Sequence, residues 1–244
     1  KPAYSSLADC AQVIYLDHRG NGRSDSGPKE AWTLAQWGDD VHAFCDVLGI
    51  ERPIVLGASF GGKVAMAYAT RHPTHPAKLI LISTEAAGGT HKDRRVAMFE
   101  KLGGPEVGAM ARRRMFEGHS DKASLDAWLR LAFPLYTRTP RDPDVVRRAV
   151  GNPEVLQWFT KPGGEDHTFN MLADLARIQC PTLVMGGEED PMTPIECQAD
   201  IAAALPPHLV RFERFAACGH AVVPDAPESA LAMIREFIMG SRSP

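Results

Sequence analysis

The sequence predicts an α/β fold, a mostly parallel central sheet with helices on both faces and a helical segment inserted within it. Two observations carry this. Short apolar runs alternate with amphipathic helical patterns, which requires crossover connections and therefore a parallel sheet. Between about Glu85 and Thr168 the apolar runs stop, and Met, Trp and Phe recur at helical spacing instead, as in Met98-Phe99, Met115-Phe116, Trp128-Leu131-Leu135 and Trp158-Phe159. The expected division is a core of residues 1–85 and 169–244, with residues 86–168 forming a helical lid.

The elements follow in order. Gln12 to Leu16 reads as a strand entering the polar turn Asp17-His18-Arg19-Gly20-Asn21-Gly22. Thr33 then caps a helix, with Gln36 at capping-box spacing and Leu34, Trp37, Val41, Phe44 and Leu48 on one face. Gly49 stops it. Pro53 to Leu56 is a strand, followed through Gly57 to Gly62 by a helix that Pro73 closes. Further strands are expected at Lys78 to Ser83, Pro181 to Met185 and Val210 to Phe215, and a last helix over Glu228 to Met239. Arg112-Arg113-Arg114 and Arg147-Arg148 read as solvated helix faces.

Composition narrows the function. A net charge of -3 and a pI near 6.3 supply no field for a phosphate backbone, which argues against nucleic-acid binding. No apolar run reaches the ~20 residues that span a bilayer. Cys10, Cys45, Cys180, Cys197 and Cys218 are odd in number and form no CxxC pair, so they read as reduced thiols of a cytoplasmic protein.

Chemistry concentrates in three places. Gly57-Ala58-Ser59-Phe60-Gly61 follows an apolar strand and opens a helix. There a serine hydroxyl projects above the strand ends, and the N–H of Phe60 can donate to an oxyanion. The same residues have P-loop spacing, Gly57-x4-Gly62-Lys63, but Val64 stands where a magnesium-binding hydroxyl is needed, so Lys63 reads as a helix-surface residue. The strand from Pro181 enters the loop Gly186-Gly187-Glu188-Glu189-Asp190-Pro191, where Asp190 is the candidate acid and Glu188 and Glu189 its competitors. His220, in Cys218-Gly219-His220, has the order and loop expected of a general base. His42 falls within a helix. His72, His75, His91, His119, His167 and His208 read as loop or connection residues. Neither HExxH nor a Cys/His cluster points to a metal, and no cofactor is expected.

With Asp17 to Ser24, Gly57 to Gly62, Gly186 to Pro194 and Gly219-His220 in view, the chain resembles the α/β-hydrolase superfamily, most closely its proline-iminopeptidase-related branch. The resemblance spans nearly the whole chain and is densest outside the lid. It implies an acyl-enzyme mechanism through Ser59, His220 and Asp190. Two positions depart from the peptidases: His18 stands where Gln is usual, and Phe60 where Trp usually follows the serine. An aminopeptidase would also need an inward carboxylate for the substrate ammonium, from among Glu100, Glu106, Glu117, Glu154, Glu165 and Asp166. The expected activity is therefore hydrolysis of small carboxylic esters or lactones, with acyl-homoserine lactones one class. Removal of N-terminal proline from short peptides is the second reading, and a ligand-binding receptor on a hydrolase frame the third. Met98, Trp128, Phe133, Tyr136 and Trp158 are the candidate pocket residues. Relatives carry a His-Gly-Gly-Pro-Gly-like loop that supplies a second oxyanion N–H; by the same resemblance it is expected before Lys1.

Overall fold

A computed structural model describes residues 3–118, 121–140 and 150–240. His119, Arg147 and Arg148 lie outside the described residues. Strands β1 (Ile54–Ala58), β2 (Lys78–Ile82), β3 (Thr182–Gly187) and β4 (Val210–Phe215) form a parallel sheet in the order β1-β2-β3-β4. The register sets Leu56 beside Ile80, Ile80 beside Leu183 and Val184 beside Phe212. Every residue of β2 and β3 is buried, because helices cover both faces, and this explains their unbroken apolar runs.

Residues Gln12 to Leu16 form no strand, contrary to expectation. A strand exists only through a partner's hydrogen bonds. Among the described residues β1 pairs with β2 alone, and Ile14 and Tyr15 stay half exposed.

One face is covered by α1 (Leu34–Val47), α2 (Phe60–Arg71) and α8 (Ile195–Ala204, following β3), in a core that includes Trp37, Met66, Tyr68, Leu81 and Ile201. The Thr33 hydroxyl accepts from the Gln36 N–H at 3.2 Å, but the Gln36 side chain turns to Asp40, so half of the capping box is made. Leu34, Trp37 and Val41 point inward, whereas Leu48 is exposed beyond the helix end.

The other face is covered by α10 (Pro227–Met239), whose Ala230 and Ile234 pack on Ile80, Ile82, Leu183 and Met185. Lys78 at the start of β2 donates to the carbonyls of Phe237, Ile238 and Gly240, satisfying the open C-terminal end of α10 with a cation.

Between β2 and β3 the chain departs at Ala86–Gly88 and returns at Phe169–Met171, the two ends pinned by Gly88 N–H to Phe169 O (2.9 Å) and Met171 N–H to Ala86 O (2.8 Å). The intervening segment contains α3 (Lys92–Gly103), α4 (Pro105–Glu117), α5 (Lys122–Leu131), α6 (Pro153–Thr160) and α7 (Glu165–Thr168). Phe99, Val107, Ala111, Trp128 and Ala132 give it a small core of its own. Arg112 and Arg113 are exposed, as expected, but Arg114 is turned in over the Trp128 ring. None of the helices of the described residues is long and apolar enough to cross a membrane.

Candidate active site

The site begins at the junction of β1 and α2. Ser59 has φ 52° and ψ -121°, a left-handed conformation unusual for a residue with a side chain, and it is held there from both ends. Its N–H donates to Ile82 O at 2.9 Å, and its carbonyl accepts the Thr84 hydroxyl at 2.8 Å. The two glycines that flank the serine act differently. A Cβ on Gly57 would lie 2.2 Å from the Gly61 carbonyl oxygen, whereas one on Gly61 would meet nothing within 4 Å. The third glycine is Gly62, where a Cβ would come 2.5 Å from that of Thr84. Backbone pressed on backbone at Gly57, and on the β2 exit at Gly62, is what the sharp turn requires.

Three loops then converge. Ser59 Oγ lies 2.9 Å from His220 Nε2, and His220 Nδ1 lies 2.8 Å from Asp190 Oδ2. Asp190 is fully buried and also accepts the N–H groups of Met192 (2.7 Å) and Thr193 (2.9 Å) and the Thr193 hydroxyl (2.6 Å). A carboxylate so satisfied holds one orientation and stabilises a positive imidazole beside it. The competing carboxylates are directed elsewhere: Glu188 pairs with Arg214 and Glu189 with Lys101. The Phe60 N–H opens α2 without a backbone acceptor among the described residues, so it is free to donate to an oxyanion.

The His220 loop is bolted to the helical segment by residues that the sequence reading missed. His220 N–H donates to Tyr136 O at 2.7 Å. The Asp225 carboxylate takes Gly219 N–H (2.8 Å) on one oxygen, and on the other Arg138 N–H, Thr139 N–H (both 2.9 Å) and the Thr137 hydroxyl. Burial alone would raise the Asp225 pKa, but these four donors outweigh it and hold the group below the usual carboxylate range. Asp225 ends the short helix α9 (Val222–Asp225), and a lone Asp before Ala-Pro carries no local sign of such a role.

Lys63 is a correction. It is buried, with Nζ 2.9 Å from Glu85 Oε1, 2.6 Å from Asp166 Oδ1 and 4.8 Å from the centre of the Phe169 ring. Residues 62–70 of α2 are all buried between the sheet, α1 and the returning segment, so this helix has no solvent face at Lys63. Arg95 completes the network on the second oxygen of Glu85.

Of the candidate pocket residues, Tyr136 comes nearest the chemistry, its ring 5.8 Å from that of His220. Phe133 lies against Tyr136, and Trp128 donates its indole N–H to the Tyr136 hydroxyl at 3.0 Å. Met98 is half-buried on α3, and Trp158 is covered by Lys161 at 3.4 Å. An aromatic group beside Ser59 went unread: Phe60 meets Trp37, Phe159 and His18 edge to face. Burial lowers the His18 pKa against the nearby carboxylates Asp40 and Asp17.

Three further histidines gather where the sequence showed scattered ones. His42 stacks on His72 at 4.1 Å and meets His75 at 4.4 Å. Each has a partner: Asp46 for His42, Asp39 for His72 and the Tyr68 hydroxyl for His75.

The chain matches the family described as alpha/beta hydrolase fold over residues 4–227. It is 28% identical to a protein named putative carbamate hydrolase RutD from Caulobacter sp. (strain K31), over 98% of this chain and 85% of that one. It is 25% identical to a proline iminopeptidase of Lactobacillus crispatus (strain ST1), over 94% of this chain and 81% of that one. The crystal structure of proline iminopeptidase from Mycobacterium smegmatis superposes with a TM-score of 0.72 at 24% identity, covering 89% of this chain and 76% of that one. With a parallel sheet, a strained serine turn and the loops that follow it in the expected order, this chain belongs to the α/β-hydrolase family, in its proline-iminopeptidase-related branch.

Proposed function

We propose that this hydrolase cleaves small carboxylic esters or lactones, acyl-homoserine lactones among them, through a covalent intermediate on Ser59. His220 Nε2 takes the hydroxyl proton as Ser59 Oγ bonds to the substrate carbonyl carbon. The oxyanion is stabilised by the Phe60 N–H, and the imidazolium by Asp190. Collapse breaks the bond to the leaving oxygen, which receives the proton from His220; in a lactone that oxygen remains tethered. Water, deprotonated by the same imidazole, then cleaves the acyl-enzyme and returns the proton to Ser59. Residues 86–168 serve in this reading as the lid, and Tyr136 and Phe133 as its contribution to the pocket. A cytoplasmic location is part of the reading, supported by five unpaired cysteines, four of them buried.

The observation that carries the reaction is the continuous series Ser59–His220–Asp190. Esters and lactones are favoured over peptides because the inward carboxylates near the site are already committed. Asp166 pairs with Lys63, and Glu165 accepts the Leu34 N–H at 2.9 Å. Glu154 pairs outward with Lys29, and Glu100, Glu106 and Glu117 are exposed. Proline iminopeptidase activity is the second reading, supported by the Lactobacillus relative. The test is a parallel assay of p-nitrophenyl butyrate, an acyl-homoserine lactone and prolyl-p-nitroanilide, with Ser59→Ala as control. The expected result is multiple turnover of the first two, abolished in the variant. Preference for the anilide would reverse the ranking, one acylation without turnover would favour the receptor reading, and full activity of Ser59→Ala would sink the mechanism.

A further inference from the structure

We propose that the cleft between α4 and α5 of the lid is a binding site for a small organic anion, a carboxylate or phosphate on a short apolar body. The cleft holds about 270 Å³ and is lined by Met110, Arg113 and Arg114 from α4 and by Trp128, Arg130 and Leu131 from α5. Three arginines from two helices thus line one concavity, with Glu106 the single carboxylate in its wall.

Their partners are what distinguish this cluster from an ordinary charged surface. Arg112, one residue earlier, turns away to Asp93 (3.7 Å) and Phe116 (5.3 Å). Arg113, Arg114 and Arg130 make no ion pair among the described residues. The Arg114 guanidinium is seated 5.0 Å from the centre of the Trp128 ring, and its Nη1 is buried with no hydrogen-bond partner. A buried, charged N–H donor left unmade costs free energy, and an anion in the cleft would satisfy it. A guanidinium seated over an indole keeps its N–H edge for an oxyanion. Met110, Leu131 and the indole face provide the apolar wall that a bare inorganic ion would not use. The volume suits a molecule of benzoate size.

The site touches the machinery at one point. Trp128, its floor, holds the Tyr136 hydroxyl, and the Tyr136 carbonyl holds the His220 N–H. Binding stands apart from the proposed reaction; an effect of the bound anion on turnover would rest on it.

The experiment measures binding directly, by calorimetry and by tryptophan fluorescence, with benzoate, phenyl phosphate and inorganic phosphate as probes at low salt. The expected result is saturable binding of benzoate or phenyl phosphate, tighter than inorganic phosphate. Arg114→Leu weakens it about tenfold or more, as loss of a charge-assisted bond requires, and Glu106→Gln tightens it. Arg130→Gln changes an exposed residue and should weaken binding with melting temperature unchanged, so the result does not depend on Arg114→Leu folding well. No saturable binding by wild type, or equal affinity in the Arg114 and Arg130 variants, overturns the proposal. Ester turnover of the same preparations, set beside Ser59→Ala, separates failure of this site from failure of the proposed reaction.

Discussion

Replacing Asp225 by Asn tests whether the helical segment and the His220 loop move as one unit. The carboxylate offers one oxygen to the Gly219 N–H and the other to three donors from Thr137, Arg138 and Thr139. An Asn side chain keeps one acceptor. If it serves the three donors from Thr137, Arg138 and Thr139, its NH2 faces the Gly219 N–H, donor against donor, at a site built for 2.8 Å. One charge-assisted bond is then lost and the other three weaken, for about 2–3 kcal/mol at neutral pH. Because Gly219 precedes His220, the imidazole should also lose its register on Ser59 Oγ, and displacement on the ångström scale costs about tenfold to a hundredfold in kcat. The pH dependence has a definite sign. Asp225 is depressed in the folded state, so its contribution is present above the unfolded carboxylate pKa of about 3.9 and is lost as pH falls through the folded value. Urea unfolding at pH 7 should show the gap between wild type and Asn, and the gap should narrow in progressively more acid buffer. Asp225→Glu should recover part of kcat. Wild-type stability and kcat in Asp225→Asn would refute the coupling.

Other outcomes follow from single contacts. Gly57→Ala should yield little folded, active protein, because its Cβ meets the Gly61 carbonyl oxygen at 2.2 Å; soluble expression and melting temperature check this. Lys63→Met leaves Glu85 with Arg95 alone and takes the cation from the partly exposed Asp166, and should cost up to about 3 kcal/mol in urea unfolding, the low end for breaking a buried ion pair. Thr193→Val removes the hydroxyl at 2.6 Å from Asp190 and leaves that buried acceptor one donor short; kcat should fall and the melting temperature should drop, and Thr193→Ser should restore both. Burial raises the Glu165 pKa against the opposing Leu34 N–H bond. A carboxylate raised in the folded state contributes stability below its unfolded pKa and loses it as pH rises. Glu165→Gln, which can still accept that bond, should therefore equal or exceed wild type at pH 7 and lose this advantage near pH 4.

Much of this molecule was legible in its sequence because the relevant physics is local. Alternating apolar runs and helical periods define β1 to β4 and the helices between them, since each must bury one face whatever its neighbours. Ser59, Asp190 and His220, which the structure brings within hydrogen-bond distance, could be singled out as candidates because each sits on a loop leaving a recognisable strand. The readings that failed depended on partners distant in sequence. Gln12 to Leu16 had a strand's composition but no ladder beside it among the described residues, and Lys63 looked like a surface residue because Glu85 and Asp166 lie 22 and 103 positions away. Asp225 carried no sign of its part in holding the His220 loop. The sequence by itself determined which side chains are candidates for acyl chemistry and on which loops they stand. Only the tertiary structure decided what holds those loops together, because a buried charge takes its meaning from the groups folded against it.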